Sequence, residues 1–429
     1  MLTAIAIIFV LAYVAIALEH PLQVNKTAVA LLAAGLMWAF FMFAPAPGAV
    51  EVLKQLDLAL GGTASIVFFL IGSMVIVEVA DAHGAFDIIT EYIKTTKLST
   101  LLWIISLATF FLSSVLANMT TAIVMVSLVK RLLKNREDRL IFAGMIVIAS
   151  NAGGAWTVIG DTTTTMLWIG KQVTPIAIMK ALLLPSIVSL LLPVTVASFM
   201  LKGNKVEAPE KTAAQSGSVV TEFEKRVMFV LGIGSIMAVP VIQFLTGIPP
   251  YLGVLFSLGV VWFVGDLMHR KKADHEKENL TMTAALRRSD MTSVMFFTGI
   301  LLAVATMTAT GQLPALAVWL GNHIGNQSII VILIGLVSAV VDNIPLIAAS
   351  MGMYPLGQYP ADTYIWEMLA YCAGTGGSIL IIGSAAGVAT MGLEKIEFFW
   401  YARKIAPLAL LGYFGGVAVY MIQYKLMHG

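Results

Sequence analysis

The chain has 429 residues, 59% hydrophobic and only 12% charged, with a net charge of +2 and a mean hydropathy of +0.90. Soluble domains carry roughly 25% charged residues. The composition therefore argues against a soluble enzyme or a nucleic-acid-binding module and points to an all-α polytopic membrane protein. Cys372 is the single cysteine, so neither an intrachain disulfide nor a cysteine metal cluster is available.

Apolar runs divided by charged or Pro/Gly breaks predict spans at residues 2–19, 27–46, 61–80, 140–170, 176–200, 227–246, 250–268, 291–310, 364–391 and 405–424. The first has no positive n-region and no small-residue cleavage site, and reads as a retained helix. Residues 98–134 and 326–356 are each interrupted by a polar tip, "LANMTT" (Leu116 to Thr121) and "VVDNIPL" (Val340 to Leu346), and predict re-entrant hairpins. The spans 140–170 and 364–391 contain "NAGG" (Asn151 to Gly154) and "GTGG" (Gly374 to Gly377) and predict broken helices. The polar stretch 201–226 reads as a cytoplasmic linker between a first half, 1–200, and a second half, 227–429.

If the N-terminus lies outside and each hairpin returns to its own side, the inside segments are 19–26, 81–97, 130–139, 201–226, 269–290 and 394–404. They then hold all but Lys54, Lys171, Lys180 and Lys425 of the 26 Lys and Arg residues, as the positive-inside rule requires. The basic run from Lys130 to Arg139 is accordingly a cytoplasmic turn, and no nucleic acid is expected as a partner.

The halves repeat, at an offset of about 225 residues. "LLAAGLMW" (Leu31 to Trp38) matches "LFSLGVVW" (Leu255 to Trp262), and Gly72 and Gly84 match Gly299 and Gly311. Asn118 matches Asn343, Gly153-Gly154 matches Gly376-Gly377, and Gly160-Asp161 matches Gly383-Ser384. Five spans and one hairpin per half make the second half begin on the opposite side, so the repeats are inverted. Broken segments at matching positions of inverted halves point to a transport site near the bilayer midplane.

The strings "SNAGGAWTVIGDTTTTMLW", "NMTTAIVM" and "DNIPL" resemble the NhaD-type sodium/proton antiporters of the ion transporter superfamily. That group also holds dicarboxylate and citrate carriers and arsenite permeases. The resemblance covers nearly the whole chain, and "NAGGAW…GD…TTTM" is its specific part. It implies a homodimer whose protomers each combine a scaffold with a moving part that carries the hairpins and broken helices. Many such proteins have an acidic residue before the first-tip asparagine; here that residue is Ala117.

The candidate ion-binding and proton-coupling residues are oxygen donors, as a hard cation prefers. They are Asp161, Asp342, Asn118, Asn343, Asn151, Thr120, Thr121, Thr157, Thr162, Thr163, Thr375 and Ser378. Asp161 is the sharpest, because an intramembrane carboxylate costs about 2.5–3.5 kcal/mol on insertion scales and is functional by default. The plainer alternative makes it a structural partner of Thr162 to Thr165. Asp342 has a helix-capping alternative, and Thr121 has the alternative of bonding its own helix. Glu78, Asp81 and His83 end the third span, where they either tune a pH response or form an ordinary interfacial charge cluster. His20, His269, His275, His323 and His428 form no metal pattern, and no cofactor is expected.

These residues predict a secondary antiporter, not an enzyme, that exchanges cytoplasmic Na+ or Li+ for external H+ across the inner (plasma) membrane. Low-dielectric surroundings favour a protonated carboxylate unless a cation replaces the proton. A sodium-coupled citrate or dicarboxylate carrier is the alternative, with an arsenite permease behind it.

Overall fold

The computed structural model describes residues 1–44, 48–85, 95, 97–201, 220–270, 272–273 and 277–428. Residues 202–219 of the linker and His275 lie outside them, as do the side chains of His20 and His428.

Among the described residues the chain is helical throughout. The first half holds α1 (Leu2–Ala17), α2 (Glu19–Leu22), α3 (Lys26–Met42), α4 (Ala49–Ala82), α5 (Leu98–Ser113), α6 (Asn118–Leu132), α7 (Arg136–Ala155), α8 (Thr162–Ile169) and α9 (Pro175–Met200). The second half holds α10 (Glu222–Thr246), α11 (Pro250–His269), α12 (Met282–Arg288), α13 (Met291–Ala309), α14 (Gln312–Ile324), α15 (Gln327–Val337), α16 (Asn343–Met353), α17 (Tyr364–Gly376), α18 (Ala385–Glu394), α19 (Phe398–Lys404) and α20 (Ala406–His428). Six of these, α4, α9, α10, α11, α13 and α20, are each long and apolar enough to cross a membrane unaided.

The expected interruptions fall at the tips and glycine pairs. Helices α5 and α6 meet across residues 114–117, and α15 and α16 across 338–342. The first broken helix is α7 and α8; the second is α17 and α18.

Several elements differ from the sequence reading: α10 starts at Glu222, within the stretch read as linker, and the short helices α12 and α19 lie in segments read as inside turns. Helix α4 begins at Ala49, three turns before the predicted span, because Glu51, Lys54 and Asp57 lie on an exposed or half-buried face of one continuous helix. Helix α14 was not anticipated between the spans. It lies between Gly311 (φ +72°) and Gly325 (φ +68°), both left-handed as glycine allows, and turns 116° into α15.

The halves clasp each other. Gly72 of α4 faces Val254 of α11, where a Cβ would approach within 2.9 Å; its repeat partner Gly299 of α13 faces Ala30 of α3, within 2.7 Å. So the second span of each half packs on the third span of the other. The hairpins do likewise: α6 packs on α18, and α16 on α8.

Within each half, the first arm of the hairpin lies against the first arm of the broken helix. A Cβ at Gly153 would collide with the Phe110 carbonyl of α5, and one at the equivalent Gly376 with the Gly335 carbonyl of α15. Ser113 Oγ donates to Ser150 O at 2.6 Å, and the equivalent Ser338 Oγ donates to Ala373 O at 3.2 Å.

Backbone faces backbone at Gly153, so the contact cannot yield by rotating a side chain. Gly153→Ala is expected to cost about 1–3 kcal/mol and to lower the thermal midpoint of the detergent-solubilised protein. Gly259→Ala, which meets open space, should leave the midpoint unchanged when both are followed by fluorescence-detected size exclusion.

Candidate functional site

The site forms where both breaks meet both hairpins. Helix α7 stops at Ala155 because residues 156–161 turn the chain, and α8 restarts with Asp161 as N-cap. Asp161 Oδ1 accepts from the Thr163 backbone N–H at 3.4 Å, and Oδ2 accepts from Thr163 Oγ1 at 2.7 Å. At the equivalent position Ser384 caps α18, accepting from Gly387 N at 3.2 Å.

Asn118, at the start of α6, closes the first break. Its backbone N–H donates to Gly160 O at 3.0 Å. Its Nδ2 donates both to Asp161 Oδ1, at 3.2 Å, and to Asn151 Oδ1, at 3.0 Å. Asn151 in turn donates from Nδ2 to Ser378 Oγ and Ser384 Oγ, each at 2.9 Å. A continuous chain of hydrogen bonds thus runs from the carboxylate of one half, through two amides, to two hydroxyls of the other. All five side chains are buried.

Asp161 is 2% exposed, and among the described residues no cation pairs with it. Gly374 of the second broken helix faces it so closely that a Cβ there would sit 3.0 Å from Oδ2. Thr121, one turn beyond Asn118, is buried, and its Oγ1 has no hydrogen-bond partner among the described residues. These oxygens suit a hard monovalent cation and a proton.

Other candidates are placed differently. Thr157 Oγ1 donates to Ser114 O and accepts from Gly160 N, so it fastens the break to the tip. Thr375 Oγ1 donates to Tyr371 O, one turn back in its own helix. Thr120 and Thr162 are half-buried at the first turns of α6 and α8. Asn343 is buried at the start of α16. Asp342 caps α16, accepting from Ile344 N at 3.4 Å, and its Oδ2 lies 3.0 Å from the Lys26 ammonium.

Glu78, Asp81 and His83 lie apart from this cluster. Glu78 pairs with Arg288 at 2.6 Å, Asp81 is exposed, and His83 is buried against His269 with Nε2 atoms 3.0 Å apart. Burial pushes the His83 imidazole below its ordinary value, against a smaller opposing contribution from its bond to Val79 O. Ser384 and Lys26 were absent from the candidate set. Repeat alignment with Asp161 points to Ser384; nothing local in the sequence points to Lys26.

The chain matches the family model described as "Citrate transporter" over residues 13–374. It is 44% identical to "Sodium/proton antiporter 1" of Arabidopsis thaliana, over 99% of this chain and 73% of that one. It is 30% identical to "Na(+)/H(+) antiporter NhaD" of Vibrio cholerae, over 98% of this chain and 91% of the relative. The Alcanivorax borkumensis YdaH transporter shares the fold, with a TM-score of 0.55 and 11% identity, over 94% of this chain and 97% of that one.

Paired hairpins and paired broken helices around a buried oxygen cluster define a polytopic membrane transporter. The chain belongs to the citrate transporter family, among the NhaD-type sodium/proton antiporters.

Asn151 makes three side-chain hydrogen bonds, two of them across the halves, and an apolar group there strands its partners. Asn151→Leu should cost about 1–3 kcal/mol for each buried group left unpaired. Ser384→Ala, which removes one acceptor of a shared donor as well as a helix cap, should cost less. Thermal midpoints of the two variants check the order.

Proposed function

We propose that the chain is a secondary antiporter that exchanges cytoplasmic sodium, or lithium, for external protons. The observation that carries this reading is Asp161: a carboxylate buried where the halves join, held by Asn118 and Thr163, with no fixed cation beside it among the described residues. The antiporter names of its relatives support the same exchange.

A carboxylate in such surroundings is stable when neutralised, by a proton or by a cation. The two compete for the same oxygens, so loading one releases the other. Asn118 Nδ2 and Thr163 Oγ1 fix the carboxylate without titrating. The hydroxyls of Ser378 and Ser384 are further oxygens of the same cluster, and the buried Thr121 Oγ1 lies one turn beyond Asn118 on α6. Asp342 supplies the second carboxylate, from the other half and from a different element.

A citrate or dicarboxylate substrate fits this site poorly. The N-termini of α8 and α16 are the places where helix ends would receive an anion. Both are taken by the protein's own carboxylates, Asp161 and Asp342.

The distribution of Lys and Arg supports an N-terminus on the outside and basic turns in the cytoplasm. The division at 201–226 into halves 1–200 and 227–429, a homodimeric assembly and residence in an inner membrane belong to the same proposal. So does a role in pH response for Glu78, Asp81 and His83.

Sodium or lithium added to acidified membrane vesicles should dissipate the proton gradient with no organic anion present. Clear citrate uptake with no response to either cation overturns the antiporter reading. Asp161→Asn should abolish exchange at normal abundance, whereas Asp342→Asn should impair it and shift its pH profile. Exchange by Asp161→Asn like the parent's at every pH removes Asp161 from the mechanism.

Alanine at Asn118 removes a hydrogen bond to a charged group and should raise the apparent sodium KM about tenfold or more, with the protein still inserted. Asn343→Ala should weaken sodium in the same direction. Wild-type sodium dependence in both variants shows that the tips do not take the ion.

A further inference from the structure

The Lys26–Asp342 pair links residues 316 positions apart, from separate elements of opposite halves. Lys26 is the first residue of α3, where Asn25 caps the helix by accepting from Thr27 N. A cation at a helix N-terminus opposes the helix dipole, so helix formation does not account for it. Its ammonium lies 3.0 Å from Asp342 Oδ2 and 4.7 Å from the centre of the Phe296 ring on α13. The neighbouring carboxylates are Glu19, whose Oε1 accepts from the Lys26 backbone N–H, and Asp290, which caps α13.

The pair stands where α3 and α13 meet the second hairpin tip. Tyr13 of α1 reaches the same tip, donating from its hydroxyl to Pro345 O at 3.1 Å. The Asp342 side chain is 9% exposed and that of Lys26 is 23% exposed, so water reaches the ammonium more readily than the carboxylate. A lysine ammonium is a compact point charge on a flexible stem. In charge it is equivalent to one sodium ion.

Resting on the antiporter reading, we propose that Lys26 is a tethered competitor of the transported cation: its ammonium neutralises Asp342 in the unloaded protein and is displaced when sodium takes that carboxylate. When displaced, the ammonium keeps the Phe296 face, where a cation is held by the ring quadrupole. Lys26 is then a positioning residue that sets apparent sodium affinity, and Asp342 never stands unpaired in the unloaded protein.

The test measures sodium-dependent exchange in proteoliposomes, and separately the sodium concentration dependence of the thermal midpoint of the purified protein. Lys26→Gln should lower the sodium KM about fivefold, the factor for releasing a partly exposed ion pair. Its maximal rate should fall, because sodium leaves without a replacement. Lys26→Arg should move KM upward, because a guanidinium grips a carboxylate through two N–H groups. In the Asp342→Asn background, Lys26→Gln should leave sodium affinity unchanged, since the competitor has lost its site.

A lower thermal midpoint with unaltered sodium dependence in both Lys26→Gln and Lys26→Arg makes the pair structural and overturns the proposal. So does a higher KM in Lys26→Gln. A parent protein that responds to sodium in neither measurement overturns the antiporter reading itself, and this proposal with it.

Discussion

A helix interrupted inside a membrane exposes peptide groups that only protein can satisfy, and the rest of this structure depends on how the two interruptions are closed. The closure comes from the hairpins. Asn118 N–H takes the Gly160 carbonyl, Thr157 Oγ1 takes the Ser114 carbonyl, and Ser113 and Ser338 bond the first arms of the two broken helices. These bonds require backbones to approach until no side chain fits between, which is why glycine occupies positions 153 and 376. Asn118 does both: its backbone N–H satisfies the break and its side chain orients the Asp161 carboxylate, so at that residue stability and chemistry cannot be separated.

The exchange of partners between halves has a related effect. Each half's second span, and the second arm of each hairpin, packs on the other half. Asn151 adds a polar link at the centre, bonding Ser378 and Ser384 across more than two hundred residues of chain. Neither half can therefore assemble the oxygen cluster by itself. The cluster is also unequal: where the first half caps its restarted helix with Asp161, the second uses Ser384, and the second carboxylate comes from a hairpin tip instead.

Much of this was legible from periodicity and repeats. The tips at Asn118 and Asn343, the breaks after the paired glycines and the buried Asp161 follow from polar residues in apolar runs, because lipid makes each of them expensive. What was hidden depended on distance or on competing bonds. Lys26 looked like one cytoplasmic charge among many, since its partner lies in the other half. Thr157 and Thr375 looked like free oxygens, but each hydroxyl is taken by a nearby carbonyl, an outcome that sequence spacing does not decide. The first three turns of α4 were missed because Glu51, Lys54 and Asp57 read as a charged break between apolar runs, whereas a helix continues wherever its backbone bonds continue. Helix α14 was masked by the glycines that bound it.

The length of α4 carries a geometric consequence. Its 34 residues rise about 51 Å, against a hydrocarbon thickness of about 30 Å. Membrane helices lean by up to about 40°, and at that extreme only about 26 residues fit within the hydrocarbon. At least two turns must therefore stand among the lipid headgroups. The end marked by Glu51, Lys54 and Asp57 is the one suited to stand there, with Leu53 exposed between the charges and Leu58 and Leu60 exposed just beyond them. The helix thus carries its own interfacial anchor, and its depth in the bilayer is set by the boundary between that charged stretch and the apolar run that begins at Gly61.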